Sequence, residues 1–181
     1  MSISRRAALA AGLGVAAAGV LAPRSALALA QKPRRLAFNN LHTGEALDVA
    51  YWENGAYVPE ALAAVNHVLR DYRTGATHVI EPKLLDLLTA LSGSLGTTAR
   101  IGVISGYRSP QTNAMLHERS SQVASGSLHM LGQAIDIRLP GVETARIRDA
   151  AMRLAIGGVG YYPTSDFVHV DIGRVRHWEG S

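Results

Sequence analysis

Two stretches, Ala134-Ile135-Asp136-Ile137 and Phe167-Val168-His169-Val170-Asp171, interleave single polar residues with apolar ones. Successive side chains of a strand point to opposite faces. Val168 and Val170 therefore face one way and His169 and Asp171 the other, and Asp136 is set apart from Ile135 and Ile137 in the same manner. A chain with this pattern builds a sheet with one packed face and isolated ionisable groups on the other. Such groups need partners once they leave water. His129 adds an imidazole seven residues before Asp136, and His169 follows Asp136 by thirty-three. Two imidazoles and one carboxylate form a set that holds Zn²⁺ while leaving a fourth position open to water or substrate. A hydrogen-bonded Asp–His pair would satisfy the same groups, and spacing alone does not choose between the two.

The remaining pattern is that of an α+β domain. Leu36 to Leu41 and Ala46 to Trp52 read as strands around the turn-like His42-Thr43-Gly44-Glu45. Leu62, Val65, Leu69 and Tyr72 recur at helical spacing after Pro59, so a helix is expected until Gly75. A second helix follows Pro82 with a leucine-rich face from Leu84 to Leu91. Ala99 to Ser105 reads as a strand, Pro110 to Glu118 as a helix, and Arg119 to Ser127 as a loop delivering His129. A strand to Leu139, a helix from Glu143 to Ile156, and strands at Val159–Tyr162 and Phe167–Ile172 complete the order. The expectation is a single domain with a mostly antiparallel sheet flanked by helices.

The first thirty residues read as a targeting segment. Arg5-Arg6 precedes a weakly apolar run rich in Ala and Gly, and Ala28-Leu29-Ala30 supplies a small-x-small cleavage pattern. The adjacent arginines resemble a twin-arginine (Tat) address, which is read by a receptor and anchors nothing. A general secretory signal and a retained anchor are the alternatives. No later stretch approaches the ~20 apolar residues of a membrane span. The expected organisation is a signal over 1–30 and one domain over 31–181, exported to the periplasm. Loss of Arg5, Arg6 and Arg24 with the signal leaves 15 of the 18 basic residues against 14 acidic ones, so the basic balance of the whole chain gives no case for nucleic acid.

Other chemistries are excluded by the residues present. There is no cysteine, which removes thiol catalysis and disulfides. Neither Lys32 nor Lys83 has a serine three residues before it, so no Ser-x-x-Lys acyl enzyme exists. His117-Glu118 begins like a His-Glu-x-x-His helix, but position 121 is serine. His42, His67 and His78 have no ligand-like company, and His177-Trp178 reads as a packed aromatic end or a cleft wall.

Ser105-Gly106-Tyr107-Arg108-Ser109, then Ser127-x-His129-x-x-Gly132-x-Ala134-x-Asp136, then His169, resemble the D-Ala-D-Ala metallopeptidase family. The stretches LHTGE from Leu41, LRDYRTG from Leu69, PKLLDLL from Pro82 and GGVGYYP from Gly157 place the likeness in its murein endopeptidase K branch, over roughly residues 36 to 178. The family includes dipeptidases, carboxypeptidases and murein endopeptidases, with the Hedgehog signalling domain as a fold relative. The resemblance implies His129, Asp136 and His169 as zinc ligands and Arg108 as the arginine facing the substrate carbonyl, where a fixed guanidinium stabilises an oxyanion. Ser127 matches a position near the substrate, though a serine there also serves as a local cap. Dipeptidase-type relatives carry Glu three residues before the last histidine; here Asp166, one methylene shorter, holds that place as the expected general base. Asp171 competes for the role, but hydrogen-bonding a ligand from behind suits it better. The implied protein is an exported zinc peptidase cutting peptide cross-links of peptidoglycan. A zinc-stabilised binding domain without hydrolysis and a carboxypeptidase or dipeptidase on D-Ala-D-Ala peptides are the alternatives.

Overall fold

The computed structural model describes residues 32–120 and 123–180; the expected signal segment lies outside them. The chain runs β1 (Arg34–Asn40), β2 (Ala46–Glu53), β3 (Ala56–Tyr57), α1 (Pro59–Val68), α2 (Pro82–Leu95), β4 (Ile101–Ser105) and α3 (Pro110–Arg119). A short 3₁₀ turn over Leu128–Leu131 leads into β5 (Ala134–Arg138), α4 (Thr144–Leu154), β6 (Gly158–Tyr162), β7 (Phe167–Asp171) and β8 (Arg176–Glu179). The eight strands form one sheet in the order β3-β2-β1-β4-β5-β7-β6-β8. Pairing is antiparallel except for β1 with β4 and β6 with β8, as the mostly antiparallel α+β expectation required.

Alternation along the strands decides where the core lies. Phe38, Ile101, Val103, Ile135, Ile137, Val168 and Val170 are all buried on one face, against Leu84, Leu85, Leu88 and Leu91 of α2 and Ile147 and Ala150 of α4. α2 starts at Pro82 and stops where Gly96 takes a left-handed conformation (φ 63°), so its leucine stripe stays directed at the sheet. The opposite face carries Asp136 and His169, which stand opposite one another in the β5–β7 register.

α1 ends at Val68, short of the expected Gly75. Tertiary hydrogen bonds capture the chain there. The Leu69 carbonyl accepts from Tyr107 N at 2.7 Å, and Asp71 N donates to Ala76 O at 2.9 Å. The helical spacing of the apolar residues is used differently: Leu69 remains fully buried, while the Tyr72 ring stacks on His42 at 3.8 Å between centroids. Two strands escaped the sequence reading. β3 has only two residues, and β8 is Arg176-His177-Trp178-Glu179, in which a lone tryptophan offers no apolar stripe.

Candidate metal centre

His129 sits in the 3₁₀ turn, whose start is capped by Ser127 Oγ accepting from His129 N at 3.4 Å. The turn stops at Gly132, where φ is 65°. A Cβ on Gly132 would overlap the Val79 carbonyl, so glycine is needed both for the backbone conformation and for the close approach. The imidazole of His129 is then fixed by Gly106, whose carbonyl accepts from Nδ1 at 2.7 Å. A carbonyl only accepts, so Nδ1 carries the proton and Nε2 presents a lone pair.

That lone pair faces two others. His129 Nε2 lies 3.2 Å from Asp136 Oδ1 and 3.1 Å from His169 Nδ1, and His169 Nδ1 lies 2.9 Å from the same Asp136 oxygen. On its far side, His169 Nε2 points at Asp171 Oδ2, 3.0 Å away. All three side chains are buried, and among the described residues they form a metal-type cluster with one ligand atom each. Atoms bonded to one ion at ~2 Å in tetrahedral geometry stand ~3.3 Å apart. The observed spacings are within a few tenths of that. His129 Nδ1 is committed to a carbonyl, so His129 Nε2 and Asp136 Oδ1 offer lone pairs at one point, and His169 Nδ1 joins them in the tautomer whose Nε2–H donates to Asp171. A cation is the partner such a set calls for, and the two-imidazole, one-carboxylate chemistry suits zinc.

The electrostatics act on the two imidazoles in opposite directions. Burial pushes the His129 pKa down, which favours the neutral imidazole a metal needs. Burial acts in the same direction on His169, but Asp136 and Asp171 on either side outweigh it and leave that ring more basic than usual. Burial also pushes the Asp136 carboxyl up; the His129 and His169 imidazoles overcome this and hold it far below the ordinary carboxylate range.

Arg108 enters from the β4–α3 connection, which is tied to the 3₁₀ turn by Arg108 N donating to the His129 carbonyl at 3.2 Å. Its guanidinium is held loosely. Nη2 is 3.5 Å from both Asp136 Oδ2 and Ser105 Oγ, Nη1 is 3.5 Å from Asn113 Oδ1, and Nε has no partner. With its Nη1 and Nη2 contacts all at 3.5 Å, the guanidinium can turn these donors to another acceptor in the groove. Arg108, Ser127, His129, Asp136 and His169 share the wall of one groove of about 390 Å³ with Tyr162, Ser165, Phe167, Arg176 and Trp178.

The structure does not bring Asp166 to this cluster. It lies in the β6–β7 turn with φ 52°, three residues before His169, an odd separation that along an extended chain directs it away from the face of Ser165, Phe167 and His169. The side chain is 62% exposed, accepts from Thr144 Oγ1 at 3.2 Å and approaches Arg138 Nη1 at 3.6 Å. Its neighbours Ser165 and Phe167 line the groove, whereas Asp166 does not. Asp171 is fully buried and fully engaged. Oδ1 accepts from Gly158 N, Gly173 N and Arg176 Nη1 at 2.9, 2.8 and 3.1 Å, and Oδ2 from Arg176 Nη2 at 2.7 Å besides His169. It orients His169 rather than standing ready to take a proton. Trp178 packs against His169 with ring centroids 5.2 Å apart and donates from Nε1 to Tyr162 at 3.0 Å, so the aromatic end is packed and also walls the groove. Gly106 and Arg176 were not singled out from the sequence: a backbone carbonyl leaves no residue signature, and Arg176 lies on the unrecognised β8.

The family model described as Peptidoglycan L,D-endopeptidase MepK matches residues 28–178. The chain is 46% identical over 177 residues to the Peptidoglycan L,D-endopeptidase MepK of Escherichia coli (strain K12), covering 97% of each chain. It is 42% identical over 172 residues to the Probable peptidoglycan L,D-endopeptidase MepK of Haemophilus influenzae, covering 93% of this chain and 92% of that one. A partial structural likeness, with TM-score 0.33, 20% identity and coverage of 42% of this chain and 62% of the other, is to the Serratia marcescens L-Ala D-Glu endopeptidase ChiX. The branch read from the sequence motifs is thus borne out over nearly the whole chain, which belongs to the MepK family of peptidoglycan L,D-endopeptidases.

Proposed function

We propose that this chain is an exported zinc endopeptidase that hydrolyses L,D peptide cross-links of peptidoglycan. The carrying observation is the convergence of His129 Nε2, Asp136 Oδ1 and His169 Nδ1 on one point, with the His129 proton held on Nδ1 by the Gly106 carbonyl. The L,D preference follows the names of the two relatives, and the periplasmic location follows the substrate. Among the described residues no helix is long and apolar enough to cross a membrane. The Arg5-Arg6 segment fits export through the Tat route.

In this reading His129, Asp136 and His169 hold Zn²⁺, which when bound supplies Lewis acidity toward the scissile carbonyl and lowers the pKa of water. Arg108 meets the oxyanion that develops as the carbonyl becomes tetrahedral, using the donors its loose contacts leave available. Ser127 and Tyr162 offer hydroxyls along the peptide's path. Asp166 would take the proton given up by the attacking water and pass it to the leaving amine. That role requires its carboxylate to leave Thr144 and Arg138 and turn into the groove beside Ser165 and Phe167. Its side chain is 62% exposed and its contact with Arg138 is long at 3.6 Å, so few contacts oppose the turn.

The test is digestion of purified sacculi by the protein without residues 1–30, with and without chelator, followed by separation of the muropeptides. Release of monomers at the expense of L,D-linked dimers, blocked by chelator and restored by zinc, is expected. Intact dimers with zinc supplied would refute the reading. One observation favours a non-catalytic zinc-stabilised binding module as the second reading: among the described residues, Asp136 is the only carboxylate lining the groove. Sacculus binding without product would support it.

A further inference from the structure

The edge strand β8 reaches the centre across glycines. In register, Gly160 stands between Trp178 of β8 and His169 of β7, and Gly158 stands opposite Arg176. A Cβ at Gly158 would overlap both the Arg176 guanidinium and the Asp171 carboxylate. With no side chain at Gly158, Arg176 spans β6 and grips Asp171 with two prongs, Nη1 to Oδ1 at 3.1 Å and Nη2 to Oδ2 at 2.7 Å. Asp171 has no exposed surface. Its Oδ1 also has the amides of Gly158 and Gly173, but Oδ2 has only His169 and Arg176. The guanidinium therefore fixes the carboxylate plane, and the plane fixes the direction in which His169 Nε2 must point. His169 Nδ1 is aimed at Asp136 as a result.

We infer that Arg176 is a positioning residue for the metal centre, acting through Asp171 on His169, with Gly158 as the gap that admits it. The inference rests on the three-ligand zinc reading above. Outer partners of metal ligands are worth about 10- to 100-fold in metal affinity, and a bidentate guanidinium is not replaced by an ammonium.

The test uses the protein without residues 1–30, titrated with zinc alone against a competing chelator, and with Co²⁺ for its visible spectrum. Arg176→Met keeps the stem and removes the fork; it should weaken zinc binding by about 10- to 100-fold and shift the Co²⁺ bands, which report ligand geometry. Arg176→Lys should fall between it and the parent, and guards against a Met variant that does not fold. Gly158→Ala, which leaves Arg176 present but displaced, should weaken zinc in the same range. Zinc affinity within about twofold of the parent in both Arg176 variants, or a lowered thermal midpoint of the chelator-treated protein with affinity and Co²⁺ spectrum unchanged, would overturn the inference. A parent that binds no zinc would instead bring down the metal-centre reading itself, and this inference with it.

Discussion

Asp71 offers a quantitative check on how the groove wall is held. It is buried, accepting from Ser109 N at 2.9 Å, Ser109 Oγ at 2.6 Å and Arg73 N at 3.0 Å. These contacts clamp the loop after α1 to the connection that carries Arg108. Burial pushes the Asp71 carboxyl up, but the Ser109 and Thr112 side chains with the Ser109 and Arg73 amides outweigh it, and the pKa falls from 3.8 to about 2. At ~1.4 kcal/mol per unit, the charged form contributes about 2 kcal/mol to folding. Because the folded value is the depressed one, this contribution is complete above the unfolded pKa of 3.8 and is lost as pH falls toward about 2. Asp71→Asn keeps one acceptor and removes the charge. Urea unfolding at a series of pH values should show the variant about 2 kcal/mol less stable at pH 7, with the gap closing between pH ~4 and ~2. A gap that stays constant across that window would refute the argument, since it would mean that shape rather than charge carries the clamp.

Three further outcomes are expected. His129→Ala and Asp136→Ala should each remove zinc from the purified protein, and metal analysis near one per chain in either would disprove the ligand assignment. Asp166→Asn should keep zinc content while muropeptide turnover drops by about 10²-fold or more; unchanged turnover would move proton transfer to another group. Gly132→Ala, at φ 65° with the Val79 carbonyl in the path of the new methyl, should lower stability by more than about 2 kcal/mol in chemical denaturation, and a neutral result would contradict the tight approach described for that turn.

Much of this was legible before any coordinates. Period-two alternation in β5 and β7 announced which face is packed and which is polar, and Pro82 with its leucines announced α2. The cluster of His129, Asp136 and His169 was readable because Asp136 and His169 are conspicuous on apolar strands and His129 sits in the family motif ahead of them. What escaped was set by distant partners. α1 lost its last expected turns because Tyr107 and Asp71 offered the backbone other hydrogen bonds. Asp166 holds the sequence position of a base, but it is an odd number of residues from His169, and the alternation that puts Ser165 and Phe167 in the groove turns Asp166 away from it. β8 stayed hidden because its pairing depends on glycines in β6 rather than on its own apolarity.

The one-residue alternation of β5 has a consequence for how such a chain can vary. Ile135 and Ile137 belong to the packed interior, and Asp136 between them belongs to the groove. Substitutions can therefore tune substrate choice and robustness almost independently, each on its own parity of positions. Insertions and deletions have no such freedom. A single added residue between Ala134 and Asp136 would send the carboxylate into the leucines of α2 and an isoleucine into the groove. Natural variation within these two strands should accordingly consist of replacements, with changes in length confined to the turns that join them.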